Sequence, residues 1–300
     1  MADKKNKPRI AIIGAGRMGG ALAIALSRRG YAVTAIVSRT QKSAVDLAGK
    51  IPASPRALSI SQLNLLPPSD LILITTPDTE IAGTAEKLDD LKIISAAKPV
   101  VLHTSGSLSS EILAPLKAAG FAVGSLHPLA SISEPELGLK RFKDAYFCVE
   151  GDKKAQQIAR QIAGELGGKA FSLETKFKPL YHAAAVMTSG HTTALFSVAV
   201  ELLTKCGLSA GKAKNVLLPL LLGTAENLKK QSPAEALTGT FARVDVDAFE
   251  RHIKLLAENA DQNAIDIYLE LARVSLKLAA EQGADKERIK SLREKITSCQ

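Results

Sequence analysis

The chain has 300 residues, of which 46% are hydrophobic, and it carries a formal net charge of +9. This length and composition exclude disorder as the main state and leave room for two domains. Most of the excess positive charge lies in residues 1–9 and 286–295, so we interpret it as solvated chain ends and not as a nucleic-acid surface. Aromatic residues make up only 4%, which leaves few stacking platforms for single strands.

Three further segments argue against other classes of protein. The basic start leads into only four apolar residues, Ile10–Ile13, so it does not resemble a secretion signal. Residues 179–200 contain no Lys, Arg, Asp or Glu, but polar and small residues at their centre favour a buried helix over a membrane span. Cys148, Cys206 and Cys299 lack CxxC spacing and a neighbouring histidine cluster, which predicts reduced thiols and no metal site. We expect a cytoplasmic protein without nucleic-acid or membrane partners.

Short β-rich runs alternate with helical patterns over residues 1–173. This alternation is typical of a mostly parallel sheet wrapped by helices, which makes the predicted fold class α/β. Between the first two runs, Met18, Leu22 and Leu26 recur every four residues and predict a helix that Gly30 ends. The predicted strands are Arg9–Ile13, Ala32–Val37, Leu71–Thr75, Val100–His103, Phe121–Leu126, Tyr146–Glu150 and Lys169–Leu173.

Residues 174–300 have almost no strand signal, and we predict an all-α domain there. Leu217–Leu222 is an apolar patch interrupted by Pro219, and Ile253–Leu278 repeats apolar residues at helical spacing. Helices that are apolar on most faces must be buried by one another or by a second subunit. We therefore expect a homodimer that forms through the helical domain.

A glycine-rich turn joins the first predicted strand to the first predicted helix. Gly14-Ala15-Gly16-Arg17-Met18-Gly19 is a complete GxGxxG. The first glycine allows the tight turn, the second lets a pyrophosphate approach the backbone, and the third packs helix against strand. The positive end of the helix favours the anion. The turn therefore predicts a dinucleotide site.

The end of the second predicted strand indicates which dinucleotide binds. A site selective for NAD places a carboxylate there, whereas this chain has Ser38 and Arg39, which offer a hydroxyl and a guanidinium to a 2′-phosphate. We predict NADP(H) as the cofactor.

Polar and prolyl residues follow the next strands, at the edge where open parallel sheets bind ligands. Thr76 and Pro77 follow the third strand, His103 and Ser105 the fourth, and His127 the fifth. Two histidines at one edge favour a functional site.

The chain resembles Rossmann-like NADP oxidoreductases that join a dinucleotide domain to a helical domain of unknown function, relatives of ketopantoate reductase, pyrroline-carboxylate reductase and the β-hydroxyacid dehydrogenases. This resemblance covers nearly the whole chain and implies a Rossmann-type mostly parallel sheet over residues 1–173, followed by a helical substrate and dimerisation domain over residues 174–300. It rests on the GxGxxG, His103-Thr104-Ser105-Gly106, His127-Pro128, Leu180-Tyr181-His182-Ala183-Ala184-Ala185 after Lys178, and Leu237-Thr238-Gly239 followed by Arg243 and Asp245.

The chain departs from this pattern at three positions. Ser189-Gly190-His191 stands in place of Ser-Asn-His, Thr240 in place of a proline, and Val244 in place of the glycine of Arg-Gly-Asp. The missing asparagine weakens any mechanism that needs its amide at the carbonyl.

Hydride transfer to a carbonyl builds negative charge on oxygen, so such a site needs a positioned donor or acid. Lys178 is the leading candidate, and His182 lies four residues later on the same helical face. We expect Lys178 to protonate or polarise the carbonyl of a small keto acid or imine, and His182 or His127 to orient it. The nicotinamide is expected near Thr76, Pro77 and His103. Ser105, His191, Arg243 and Asp245 are further candidates for binding a small anionic metabolite.

Other functions remain open at this stage. His127-Pro128-Leu129-Ala130 resembles the His-Pro motif of prephenate- and arogenate-type dehydrogenases, and deazaflavin-dependent reductases have a similar Rossmann domain. A non-catalytic protein that senses NADP is the alternative from a different class.

Overall fold

An eight-stranded sheet forms the centre of the amino-terminal part of the computed structural model, which describes residues 7–91 and 98–299. The strand order is β3-β2-β1-β4-β5-β6-β7-β8; of the described neighbouring pairs, β6–β7 is antiparallel and the others are parallel. The predicted mostly parallel α/β sheet is confirmed. The strands are β1 (Ile10–Ile13), β2 (Val33–Ser38), β3 (Arg56–Ser59), β4 (Leu71–Ile74), β5 (Val100–His103), β6 (Val123–Pro128), β7 (Tyr146–Gly151) and β8 (Lys169–Phe171).

Helices cover this sheet and make up most of residues 178–298. The helix predicted from Met18, Leu22 and Leu26 is present, and the chain leaves it through Gly30, which has a φ of 81°. The helices are α1 (Arg17–Arg28), α2 (Gln41–Ala48), α3 (Asp78–Asp89), α4 (Ala114–Ala118), α5 (Gly138–Phe142), α6 (Lys153–Glu165), α7 (Lys178–Val186), α8 (Thr192–Lys205), α9 (Ala210–Leu228), α10 (Pro233–Ala236), α11 (Gly239–Ala242), α12 (Val246–Asn259), α13 (Gln262–Glu281) and α14 (Lys286–Ser298).

The core lies on both faces of the sheet because its central strands are apolar on both faces. Every residue of β1 and β4 is buried, as expected for strands covered on each side. One buried cluster includes Leu22 and Leu26 of α1, and the cluster on the other face includes Ile81 and Leu88 of α3. The carboxyl ends of β1, β2 and β4 therefore meet at one solvent-facing edge, where the glycine-rich turn lies.

Two strand predictions differ from the structure. Strand β3 was missed because it is a four-residue edge strand with one buried side chain, Leu58, and no apolar run. The prediction that a strand ends at Leu126 is wrong, because β6 continues through His127 and Pro128, whose partners on β7 are Cys148 and Phe147. His127 therefore belongs to the sheet and is held by a strand.

The chain divides into two compact units, Met1–Ser189 and Gly190–Gln300. This division lies later than the boundary predicted after residue 173. The reason is that α7 packs on the sheet: its first residue, Lys178, is fully buried and forms hydrogen bonds with Ser125 of β6. Between α7 and α8 the helix continues through a π-helical turn, Met187–His191, a type of turn that is frequent at functional sites.

The second unit has its own apolar core, in which α12, α13 and α14 pack together. Phe249, Leu276 and Leu292 are among its buried members. The apolar pattern predicted over Ile253–Leu278 is divided between α12 and α13, because Asp261 caps the start of α13 by accepting a hydrogen bond from the N–H of Ala264.

Helices α8 and α9 leave much apolar surface uncovered. Of the described residues of α8 none is buried, and on α9 only Ala213 is. The continuous helix Thr175–Lys205 has the length and composition of a membrane span, with a mean hydropathy of 1.3 over its most apolar window. Large exposed apolar side chains on α7, the π-helical turn, α8 and α9 include Leu180, Met187, Leu195, Val216, Leu218, Leu220, Leu222 and Leu228.

Val244 has a left-handed backbone at one of the three positions where the chain departs from the family pattern. Its φ is 48°, a conformation in which a β-branched residue is strained, whereas the expected glycine would adopt it freely. Burial opposes this strain, because the Val244 side chain is only 1% exposed and packs in the core of the second unit.

This geometry predicts that Val244→Gly is at least as stable as Val244→Ala, although glycine is normally less favourable than alanine in a folded chain. Val244→Ala and Val244→Gly both lose the buried side chain, but only Val244→Ala keeps the left-handed strain of about 1–2 kcal/mol. We expect Val244→Gly to be at least as stable as Val244→Ala in urea unfolding. The control is Ala248→Gly in α12, where glycine should lower the free energy of unfolding by about 1 kcal/mol. A Val244→Gly variant clearly less stable than Val244→Ala would contradict the argument.

Candidate functional site

The GxGxxG turn has the geometry that its three glycines predict. Gly14 has a φ of 120°, which places its backbone against Thr75 of the neighbouring β4 loop. A Cβ on Gly19 would collide with the carbonyl oxygen of Gly14, so the third glycine allows α1 to approach the turn. A Cβ on Gly16 would meet no atom within 4 Å. The second glycine therefore faces open space where a ligand can approach the backbone.

That open space is a cleft of about 460 Å³, which we call the glycine cleft. It lies at the carboxyl ends of β1, β2 and β4, where sheets of this topology bind nucleotides. Its lining residues are Ile13, Gly14, Ala15, Gly16, Val37, Ser38, Arg39, Thr40, Ser43, Ile60, Thr75, Thr76, Pro77, Thr79, Glu80, Thr84 and Lys87.

Seven of the predicted cofactor residues line the glycine cleft, and four do not. Met18 instead packs against the core, Gly19 packs against the turn itself, and Arg17 is exposed. His103 is fully buried in β5. The seven that line the cleft are Gly14, Ala15, Gly16, Ser38, Arg39, Thr76 and Pro77.

Polar residues after β2 add to the cleft, and two of them, Thr40 and Ser43, were not predicted from the sequence. Thr40 accepts a hydrogen bond from the N–H of Ser43 and so caps α2. A hydroxyl residue followed three positions later by another at a helix start was the available signal. Arg39 is exposed on the cleft and makes no ion pair with any carboxylate that the structure describes, so its guanidinium is available to an anion.

Residues present in the glycine cleft fit a dinucleotide phosphate. Gly16 leaves a gap that a Cβ would fill, and the amino end of α1 beside it offers backbone N–H groups to a pyrophosphate. Further along the cleft, the buried hydroxyl of Thr76 has no hydrogen-bond partner among the described residues. An unpaired buried hydroxyl is costly unless a ligand satisfies it.

A carboxylate organises the loops that follow β4 and β5. Asp78, in the first turn of α3, accepts hydrogen bonds from the hydroxyls of Ser105 and Ser107, at 2.8 Å and 3.0 Å. Ser105 in turn accepts the N–H groups of Ser107 and Leu108. Ser105, predicted to bind substrate, is thus 6% exposed and committed to shaping the loop. Asp78 and Ser107 were missed because neither belongs to a recognisable motif.

Lys178 lies in a buried polar cluster that joins α7 to the sheet. Its Nζ donates to Ser125 Oγ at 2.5 Å, to the carbonyl oxygen of Ser105 at 3.2 Å, and to Glu150 Oε1 at 3.4 Å. Glu150 also accepts the N–H and hydroxyl of Ser110, at 2.8 Å and 2.7 Å. Lys178 is fully buried and Glu150 is 4% exposed, so almost no solvent reaches the ion pair.

All three ammonium protons of Lys178 therefore have acceptors within the protein. Burial lowers the pKa of Lys178, and the carboxylate of Glu150 opposes that effect. A side chain that is fully buried and saturated in this way is poorly placed to meet a substrate. The geometry therefore argues against the expectation that Lys178 donates directly to a carbonyl, and it favours a role in positioning α7.

The side chains of His127, Tyr181 and His182 contact one another next to this cluster. The hydroxyl of Tyr181 lies 2.6 Å from Nδ1 of His127. The rings of His127 and His182 stack with centroids 5.7 Å apart and an interplanar angle of 30°. Ser125 and His127 are two residues apart on β6, so they lie on the same face of the sheet, where Lys178 bonds one and Tyr181 the other.

The environment of His127 keeps its imidazole neutral. Burial lowers the pKa of His127 to about 4, and the electrostatic effects of the neighbouring His182 and Lys178 act in the same direction. Gly106 borders both rings, since a Cβ there would lie 2.7 Å from Nε2 of His127. The sequence motifs contained Gly106, Tyr181 and His182, but no local signal linked Glu150 to this site or predicted that Tyr181 contacts His127.

His103, the other edge histidine, has a structural environment. It is fully buried, its Nδ1 accepts the N–H of Ser105, and burial with the nearby charge of Lys178 lowers its pKa to about 3. It is therefore neutral and inaccessible, in contrast with the expectation that it contacts the cofactor.

The remaining candidates belong to the second unit. His191 ends the π-helical turn and is exposed, and Arg243 follows α11 and is exposed. Asp245 caps α12 by accepting the N–H of Ala248 at 2.9 Å, which is a structural role that the sequence analysis did not assign to it.

Comparisons with known proteins agree with this architecture. Residues 2–128 match the model of the Rossmann-like domain, and residues 145–275 match that of a domain of unknown function, DUF2520. No curated protein matches the chain in sequence.

Solved structures share the fold over nearly the whole chain. A protein from Bacteroides fragilis to which NADP oxidoreductase activity has been attributed is 24% identical, with a TM-score of 0.69 over 96% of this chain and 99% of that one. A Thermotoga maritima protein is 25% identical, with a TM-score of 0.70 over 91% and 99%. Plasmodium falciparum pyrroline carboxylate reductase, solved with NADP bound, is 13% identical, with a TM-score of 0.54 over 98% of each chain.

The resemblance stated from the sequence motifs is thereby confirmed at the level of domains and fold. Its amino-terminal part matches the Rossmann-like model and its carboxyl-terminal part matches the DUF2520 model.

Proposed function

We propose that this protein is an NADPH-dependent reductase of a small keto acid or imine. The observation that carries the proposal is the glycine cleft, in which the open face of Gly16 and the exposed guanidinium of Arg39 lie along one surface. The structures that share its fold include proteins described as NADP oxidoreductases and pyrroline carboxylate reductases, which supports the same class of chemistry.

In this proposal different residues of the cleft bind different parts of the cofactor. The backbone of Gly14, Ala15 and Gly16 holds the pyrophosphate, and Ser38 with Arg39 holds the 2′-phosphate. Thr76 and Pro77 lie further along the cleft, where the unpaired hydroxyl of Thr76 can bond the carboxamide of a nicotinamide. When bound, NADPH supplies the hydride.

The substrate is proposed to bind beside His127. This side chain is half-buried, lies near the carboxyl edge of the sheet and is bordered by the bare backbone of Gly106. A neutral imidazole here can donate a hydrogen bond to an oxygen that gains negative charge during reduction. Lys178 acts on this arrangement indirectly, since it fixes α7 and therefore Tyr181 and His182 against β6.

Replacement of Arg39 tests the cofactor assignment. We expect Arg39→Gln to weaken NADPH binding about 10- to 100-fold, the loss of one charge-assisted hydrogen bond to phosphate, while NADH binding stays unchanged. Nicotinamide fluorescence titration measures both affinities. Lys42→Gln removes the same charge from α2, outside the glycine cleft, and should change neither affinity. Equal effects of Arg39→Gln on the two cofactors would contradict 2′-phosphate recognition.

Replacement of Lys178 separates positioning from direct acid catalysis. Lys178→Met leaves Glu150 buried without its countercharge, and we expect the free energy of unfolding to fall by about 3–5 kcal/mol. Lys178→Met combined with Glu150→Gln removes both charges and should recover most of that loss. If Lys178 only positions α7, the double variant binds NADPH and keeps at least about a tenth of wild-type turnover.

The same double variant also defines the contrary result. A folded, NADPH-binding double variant that has lost all turnover would indicate that Lys178 reaches the substrate. Circular dichroism and NADPH titration establish that the variant is folded before turnover is compared.

We also propose that a second copy of the chain covers the apolar surface of α8 and α9. Exposed apolar side chains on α8 and α9, among them Leu195, Leu220 and Leu222, make this surface suited to an apolar partner, and a second copy presents the same surface in a two-fold arrangement. Light scattering after size exclusion should give twice the 31.7 kDa chain mass, and Leu220→Asp with Leu222→Asp should halve it. Leu255→Asp changes an exposed leucine on α12 and should leave the dimer intact. A monomeric wild type would contradict this proposal.

A further inference from the structure

The hydrogen bond between Tyr181 and His127 determines which ring nitrogen of His127 carries its proton. The two atoms are 2.6 Å apart, and the two rings meet edge to face at 87° with centroids 5.5 Å apart. Because a neutral imidazole has one N–H and one bare nitrogen, the partner of Nδ1 decides the state of Nε2.

The proton in this bond lies with the tyrosine oxygen. A phenol is a stronger acid than a neutral imidazole N–H, and an imidazole nitrogen is a stronger base than a phenol oxygen, so the hydroxyl donates and Nδ1 accepts. Burial disfavours a positive charge on His127, His182 and Lys178 on α7 add to that effect, and Asp78 on α3 opposes it, so the pKa of His127 is lowered and its ring is neutral at pH 7. Burial also raises the pKa of Tyr181, which keeps the hydroxyl protonated.

The Nε2 edge of the ring is the one left open. Among the described residues, Nε2 of His127 has no hydrogen-bond partner. Only the bare backbone of Gly106 fits beside it, because a Cβ there would lie 2.7 Å from Nε2 of His127 and 2.8 Å from Cδ2 of His182. Nε2 of His127 is not fully buried, so a small ligand can approach it from solvent and accept a hydrogen bond there.

We propose that Tyr181 is a positioning residue that holds His127 as the Nε2–H tautomer, so that a neutral imidazole donates a hydrogen bond to the substrate oxygen. The inference rests on the proposed function, and it narrows the substrate class. A ketone or aldehyde oxygen accepts this hydrogen bond, whereas a protonated imine has no free lone pair to accept it. The site therefore favours a carbonyl substrate over an imine.

The chemistry of this arrangement balances with one proton from solvent. With bound NADPH as the donor, oxidised to NADP⁺, hydride would add to the carbonyl carbon, the C=O π pair would move to oxygen, and the Nε2–H of His127 would stabilise the negative charge that develops there. The oxygen then takes a proton from water, so hydride and proton together convert C=O into CH–OH. His127 ends as it began, neutral and bonded to Tyr181.

Nitrogen NMR of the full-length protein labelled with ¹⁵N-histidine tests the tautomer without any substrate. The chain has five histidines, and His127→Gln assigns the His127 signals. At pH 7 we expect the wild-type ring to be the Nε2–H tautomer and Tyr181→Phe to convert it into a mixture. Tyr268→Phe is the matched control, because Tyr268 makes a similar bond, at 2.8 Å, to the exposed His252. An Nδ1–H tautomer in the wild type, or no change in Tyr181→Phe, overturns the inference.

Turnover supplies the second readout. With NADPH and a panel of pyruvate, 2-oxobutanoate and 2-oxoisovalerate, set against 1-pyrroline as the imine, we expect reduction of a keto acid to be the faster reaction. Tyr181→Phe should lower kcat about tenfold with little change in NADPH affinity. Gly106→Ala should also lower turnover, because its methyl group would lie 2.7 Å from Nε2 of His127 and 2.8 Å from His182 and would force the two rings to shift.

The outcomes distinguish failure of the proposed function from failure of the tautomer inference. A wild-type protein that does not bind NADPH contradicts the proposed function, whatever the tautomer of His127. A protein that binds NADPH and reduces only the imine, or whose Tyr181→Phe variant turns over a keto acid at the wild-type rate, contradicts the present inference and leaves the proposed function standing.

Discussion

The buried ion pair between Lys178 and Glu150 is the contact on which the candidate substrate site depends. A charged pair removed from water is tolerated only when both groups are saturated with hydrogen bonds, and here Ser105, Ser110 and Ser125 provide them. Because these partners come from the loop after β5 and from β6, the pair fixes α7 against the sheet. One turn further along α7, Tyr181 and His182 then reach His127.

The glycine cleft depends on a different constraint, the close approach of backbones around Gly14 and Gly19. It needs no buried charge, because a helix terminus and the exposed Arg39 provide the positive potential for phosphate groups. The two parts of the site are thus stabilised independently within the first unit. A variant that loosens α7 can lose the substrate site and still bind the cofactor, which is why the proposed experiments measure NADPH affinity and turnover separately.

The sequence predicted those features that depend on local pattern. The GxGxxG, the apolar stripe of α1 and the strand runs follow from residues close together in the chain, and the structure contains them. The features that were not predicted depend on contacts between residues far apart in the chain. They are a four-residue edge strand, the continuation of β6 through His127, and the burial of Lys178. No spacing rule links Glu150 to Lys178 or Asp78 to Ser105, since those pairs meet only when the sheet and α7 have formed. Val244 shows the reverse case, in which a departure from the family pattern marks real backbone strain.

Hydrogen–deuterium exchange on Glu150→Gln tests the central claim most directly. Loss of the carboxylate charge weakens the attachment of Lys178 while leaving its other acceptors in place. The account predicts faster exchange in α7, over Lys178–Val186, and in the loop around Ser110, with α1 and the glycine cleft protected as in the wild type. Unchanged protection of α7 in this variant would show that the ion pair does not hold the helix against the sheet.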